Sequence, residues 1–194
     1  MTKPPPALLL IDVQQGFDHP RWGPRNNPQA ESQMARLLSA WRERCHPIIH
    51  VRHHSTEPDS PLHPDQVGSH FKAETMPLAG EMVFTKHVNS AFIGTGLEQY
   101  LRSHGITGLV ICGLTTDHCV STTTRMAGNL GFGVVLVSDA TATFDRQGVD
   151  GERILAEEVH RVHLASLQGE FCQVTTTDMV LMPQDWPVQF VGIA

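Results

Sequence analysis

Leu109-Val110-Ile111-Cys112-Gly113-Leu114-Thr115-Thr116-Asp117-His118-Cys119 is the stretch whose reading decides the fold. It opens on a run of apolar residues with no polar alternation, which reads as a strand buried on both faces. Gly113 to Thr116 makes a turn, and a helix begins near Asp117 with Thr116 as its N-cap. A buried strand that runs straight into a helix is the building unit of a parallel α/β sheet.

The same unit recurs on both sides. Ala7–Ile11 is a first apolar strand, ending at Asp12. Asn27-Pro28 reads as N-cap and first helical residue, followed by Met34, Leu37, Leu38 and Trp41 at helical spacing. Ile48–Val51 is a second strand and Met82–Thr85 a third, ending at Lys86. Thr95-Gly96-Leu97-Glu98 fits a capping box, with Gly105 as the stop of that helix. Beyond the fourth strand, Val134–Val137 is a fifth, Ile154, Leu155, Val159 and Val162 share a helix face that ends near Gly169, and Phe171–Val174 is a sixth strand. His53–Gly80, rich in Pro, His, Ser and Gly, is a long surface loop, a feature that is often functional. No repeat or linker interrupts the pattern. The prediction from this pattern is one domain over 1–194, of α/β class, with a parallel sheet covered by helices on both faces. Ligands of such sheets sit beyond the carboxyl ends of the strands.

With 194 residues, 40% hydrophobic and 18% charged, the composition is that of a globular protein, and a formal net charge of −6 argues against nucleic acid and anionic membranes as partners. Met1–Pro6 runs into an apolar stretch that Asp12 ends too soon for a signal peptide, and no apolar run is long enough for a bilayer. Cys45, Cys112, Cys119 and Cys172 lie far apart without CxxC spacing, so neither a disulfide framework nor a zinc knuckle is expected and the reducing cytosol is the expected compartment.

Three polar residues follow strand ends at one edge of the sheet: Asp12, Lys86 and Cys119. An Asp there commonly caps a turn, and a Lys is commonly solvated. Cys119 is more telling. In the first helical turn it meets backbone N–H groups without helical partners and a partial positive charge, which favour thiolate and can hold an oxyanion. An adjacent carboxylate could take its proton. His118, its neighbour, points elsewhere on a helix. There is no GxSxG elbow, no P-loop, and Gly128, Gly131 and Gly133 follow a helix and do not form GxGxxG.

The sequence resembles the isochorismatase-like cysteine hydrolase superfamily, related to nicotinamidases and N-carbamoylsarcosine amidases. Leu9-Leu10-Ile11-Asp12-Val13-Gln14 with Phe17, Lys86-His87-Val88-Asn89-Ser90-Ala91-Phe92, and Cys112 through Val120 carry the match, in order and in strand context. The resemblance implies an α/β three-layer αβα sandwich with a six-stranded parallel sheet in the Rossmann-like order 3-2-1-4-5-6, a catalytic triad of Asp12, Lys86 and Cys119, a cis peptide between Leu114 and Thr115, and an oxyanion hole of the Thr115 and Cys119 N–H groups. Phe17, Trp22, Asn89, Phe92 and His118 flank the triad in sequence and are candidates for substrate contact. Nicotinamidases carry a metal-binding Asp-x-His after strand two. Here Val51-Arg52-His53-His54-Ser55 puts Arg52 where the acid is wanted, with His63 and His70 further along, so no metal and no cofactor are expected. True isochorismatases lack the cysteine nucleophile, so Cys119 implies hydrolysis of a C–N bond (amide, ureide or carbamoyl) of a small molecule through a thioester. Ether hydrolysis or another non-amidase activity, and a non-catalytic binding protein, are the competing readings. Family members commonly form dimers or tetramers, so a homodimer or homotetramer is expected. The order 3-2-1-4-5-6 leaves strand three apart from strand four, and only the resemblance brings Lys86 to Cys119.

Overall fold

The computed structural model describes residues 4–182. Its centre is β1 (Ala7–Ile11), whose five side chains are all buried. Successive side chains of a strand point to opposite faces, so β1 feeds two cores. Leu8 and Leu10 join Met34, Leu37, Leu38 and Trp41 of α1 (Ala30–Glu43), while Leu9 and Ile11 join residues of the other helices. Burial on both faces explains the unbroken apolar run that the sequence shows here.

Six parallel strands make the sheet: β1, β2 (Ile48–His53), β3 (Met82–Lys86), β4 (Gly108–Leu114), β5 (Gly133–Ala142) and β8 (Gln173–Thr175), in the order β3-β2-β1-β4-β5-β8. This is the predicted order, the sixth sheet strand being β8 because a short antiparallel hairpin, β6 (Arg146–Gln147) and β7 (Arg153–Ile154), precedes it. α1 and α5 (Thr177–Leu181) cover one face through Trp41 and Val180. α2 (Leu97–Ser103), α3 (Ser121–Asn129) and α4 (Ala156–Leu167) cover the other through Leu101, Ala127 and Leu167. Among the described residues no helix is long and apolar enough to cross a membrane.

Four local readings need correction. The Thr95–Glu98 capping box does not form: Gly96 is the N-cap of α2, and the Thr95 hydroxyl donates to the Ala91 carbonyl and accepts from the Leu97 N–H. Asn27 does not cap α1. Its backbone is left-handed, with φ of 41°, and its amide donates to the carbonyls of Ser138 and Thr141, so the helix starts at Ala30. Ile154 belongs to the hairpin and not to α4, whose buried residues are Ala156, Val159, His160 and Leu167, while Leu155 and Val162 are more than half exposed. The Asp145 carboxylate accepts from the Ala156 N–H and marks that later start. Thr116 does not act as an N-cap, because its hydroxyl is engaged 2.8 Å from His160 Nδ1. The chain leaves β4 through a wider turn over Thr116–Val120, in which the Val120 N–H reaches back to the Thr115 carbonyl at 3.2 Å.

The long loop after β2 is held in place by Gln14. Its buried amide donates to the carbonyls of His53 and Ser69 and accepts from the His53 N–H. A second anchor sits where β2 meets the start of β3. Glu81 accepts from Arg42 through two nitrogens, from the Leu78 N–H, and pairs with buried His50 at 2.8 Å. Those donors outweigh its desolvation and hold its pKa at about 2, below the ordinary 4.5. The stabilisation from Glu81 is therefore full above pH 4.5 and is lost as pH falls towards 2. The melting temperature of Glu81→Gln should lie below wild type at neutral pH, and the gap should close as pH drops through that window; a gap that stays constant contradicts the assignment.

Candidate active site

The carboxyl ends of β1, β2, β3 and β4 meet at one edge. Ile11 pairs with Val51 and Gly113, and His53 pairs with Lys86. Gly113, at φ of 128°, lies so close to β1 that any Cβ would overlap the Ile11 backbone. Only glycine lets β4 approach β1 that closely just before the turn that carries Cys119. The Leu114–Thr115 peptide that follows is cis. On β1 the chain turns sharply at Asp12, left-handed at φ of 53°, with its N–H on the Val51 carbonyl at 2.9 Å.

Lys86 closes the gap that the strand order leaves. Its side chain crosses the end of β2 and puts Nζ 2.6 Å from Asp12 Oδ2, 3.2 Å from Cys119 Sγ and 3.1 Å from His53 Nδ1. Asp12 and Lys86 are 0% exposed and Cys119 is 8% exposed. Among the described residues, Asp12, His53 and Cys119 also form a cluster whose donor atoms stand close enough together to hold a cation. The Lys86 ammonium already occupies the centre they share. Arg52, standing where a metal-binding acid would be wanted, donates to Thr85 Oγ1 at 2.8 Å.

Burial dominates the electrostatics. It raises the Asp12 pKa against the opposing pull of Lys86. For Lys86, burial lowers the pKa, but the charges of Asp12 and Cys119 overcome it and the net direction is up. The Cys119 thiol is pushed well up, first by desolvation and then by Asp12, with Lys86 opposing. This corrects the expectation of a thiolate favoured by its helical turn. Burial thus biases the Cys119 sulfur toward the thiol, beside the Asp12 carboxyl and the Lys86 ammonium. Asp12 Oδ1 and the Thr115 hydroxyl are buried and have no hydrogen-bond partner among the described residues.

A cavity of about 200 Å³ opens onto Cys119. Of the sequence-predicted contacts, Phe17, Trp22, Asn89 and His118 line it, as does Thr115. Phe17, Trp22 and Phe144 form an aromatic cluster with centroids 5.6 to 6.3 Å apart, and Asn89 Oδ1 is 3.9 Å from the Cys119 sulfur. Phe92 is not in the lining; it stacks on Phe132 at 5.9 Å, on the α2 and α3 face of the sheet. Ser55, Ser60, Leu62 and Arg146 also line the cavity and were not anticipated. The first three come from the long loop, whose path no periodicity reveals. Arg146 comes from the hairpin and is held by Asp117 at 2.7 Å, a carboxylate that this partner and Thr143 keep at about 2.

A buried charge left without its partner is costly, about 3–5 kcal/mol. Lys86→Met should therefore destabilise the fold by roughly that amount in urea unfolding, and adding Asp12→Asn should recover a large part of it. Additive losses in the double variant would contradict a coupled pair.

Comparison with known proteins agrees with this architecture. A family model described as an isochorismatase domain matches residues 6–179. The chain is 46% identical over 175 residues to the uncharacterized isochorismatase family protein YrdC of Bacillus subtilis (strain 168), covering 90% of this chain and 94% of that one. It is 27% identical over 188 residues to the maleamate amidohydrolase of Pseudomonas putida, covering 88% and 83% of the two chains. The crystal structure of an isochorismatase family protein from Chromobacterium violaceum superposes with a TM-score of 0.88 at 50% identity, covering 93% and 96%. The chain belongs to the isochorismatase family of hydrolases.

Proposed function

We propose that the protein is a cysteine hydrolase that cleaves a C–N bond of a small amide, ureide or carbamoyl compound through a thioester on Cys119. The observation that carries this reading is the buried cluster of Lys86 Nζ, Asp12 Oδ2 and Cys119 Sγ, with the sulfur opening onto the cavity. Similarity to an amidohydrolase supports the bond class. A cavity of about 200 Å³ suits a substrate smaller than a drug-sized ligand.

Proton transfer from the thiol to Asp12 leaves the net charge of the site unchanged. It creates a thiolate beside the Lys86 ammonium and neutralises a carboxylate that burial already disfavours. The Asp12 carboxylate lies within hydrogen-bond reach of the Cys119 thiol and can accept that proton directly. The thiolate adds to the substrate carbonyl carbon. The resulting oxyanion is held by the Thr115 and Cys119 N–H groups, at the start of a helical segment where such donors converge. Collapse breaks the C–N bond, and the leaving nitrogen takes the proton from Asp12. Asp12, again a carboxylate, accepts a proton from water as it attacks the thioester. The sulfur leaves and is reprotonated, so the sum is substrate plus water to acid plus amine. Phe17 and Trp22 supply apolar walls, and Asn89 and His118 polar ones.

The ionised form of Asp12 is the active one and its pKa is raised, so activity should fall on the acid side at a midpoint above the ordinary 3.8. Ammonia release should be measured over a panel of small amides, ureides and carbamoyl compounds. The wild type should turn over at least one of them, and Cys119→Ala should lose on the order of a thousandfold or more. A variant that keeps activity within about tenfold of wild type contradicts a covalent mechanism.

A further inference from the structure

The Lys86 ammonium has no exposed surface, so each of its three N–H bonds needs a protein partner. Asp12 Oδ2 takes one and Cys119 Sγ a second. The third meets His53 Nδ1 at 3.1 Å. An imidazole can accept from an ammonium only through an unprotonated nitrogen, so Nδ1 carries the lone pair and the ring proton sits on Nε2. Desolvation, then the charge of Lys86, then His87 and His54, lower the ring pKa to about 4, so the ring is neutral near pH 7. The charged or titratable groups around it are thus Lys86, Asp12, Cys119, His87 and His54.

We propose that His53 is a positioning residue: by accepting the third Lys86 N–H, it fixes the rotation of the ammonium and keeps one N–H on the Cys119 sulfur. His53 neither makes nor breaks a bond. A hydrogen bond to a charged donor also ties the end of β2 to the chemistry set between β1, β3 and β4. The inference rests on the reading of Cys119 as nucleophile, but its tests use no substrate.

Two measurements decide it. The first is the rate of Cys119 alkylation by iodoacetamide at fixed pH, read on the Cys119 peptide by mass spectrometry. His53→Leu removes the acceptor and should slow the reaction about tenfold, the scale of one charge-assisted hydrogen bond. His53→Gln offers a side-chain carbonyl and should stay within about threefold of wild type. Equal rates in wild type and His53→Leu overturn the proposal, as does a His53→Gln as slow as His53→Leu. The second is nitrogen-detected NMR of the wild-type histidines near pH 7, with His53 assigned from the spectrum of His53→Gln. It should find Nδ1 unprotonated and Nε2 protonated. An Nδ1–H ring or an imidazolium overturns the proposal even if His53→Leu fails to fold. Absence of amide turnover, by contrast, would overturn the proposed function and leave both of these outcomes standing.

Discussion

A lysine ammonium taken entirely out of water is the constraint around which this site is arranged. An unpaired buried charge is among the most expensive features a fold can carry, so the position is tenable only if every N–H finds an acceptor. The three acceptors are a carboxylate, a neutral imidazole and a sulfur, contributed by β1, by β2 and by the turn after β4. Each acceptor has its own burial cost. The result is a set of groups whose protonation states are interdependent: the carboxylate keeps the lysine charged, and the ammonium opposes the burial that holds the sulfur as a thiol.

The backbone makes that convergence possible. Adjacent strands stand about 4.8 Å apart, so β3 and the turn after β4 are separated by more than any short side chain can bridge. Lysine is long enough to cross the end of β2. Asp12 reaches inward because its residue adopts a left-handed conformation, and β4 comes close because Gly113 has no side chain to collide with Ile11. Gln14 then pins the loop that supplies Ser55, Ser60 and Leu62 as a fixed wall over the sulfur.

A parallel sheet covered on both faces was legible in the sequence because β1 and β4 are apolar throughout and buried on both faces; apolarity alone does not order the strands. Helix starts were less so. Asn27 and Thr116 have the chemistry of caps, but tertiary partners, the end of β5 and His160, take their polar atoms instead. Asp12 and Cys119 were legible as strand-end residues. Lys86 was not legible from the fold alone, since strand order gives no hint of how far a side chain reaches. His53 carried a signal that was read only as a metal question: it ends the strand lying between those of Asp12 and Lys86, so it must stand beside the path of the lysine. The loop residues of the cavity and Arg146 lie outside any periodic pattern, and their positions are fixed by tertiary contacts alone.

The proposed mechanism requires that the Cys119 sulfur become covalently bonded to the acyl part of a substrate. It is tested most directly by quenching the wild-type enzyme in acid during turnover of a small amide and weighing the peptide that contains Cys119. An acyl adduct on that cysteine is expected, absent before substrate is added and lost when substrate is exhausted. Sustained turnover with Cys119 unmodified at every quench time would contradict it.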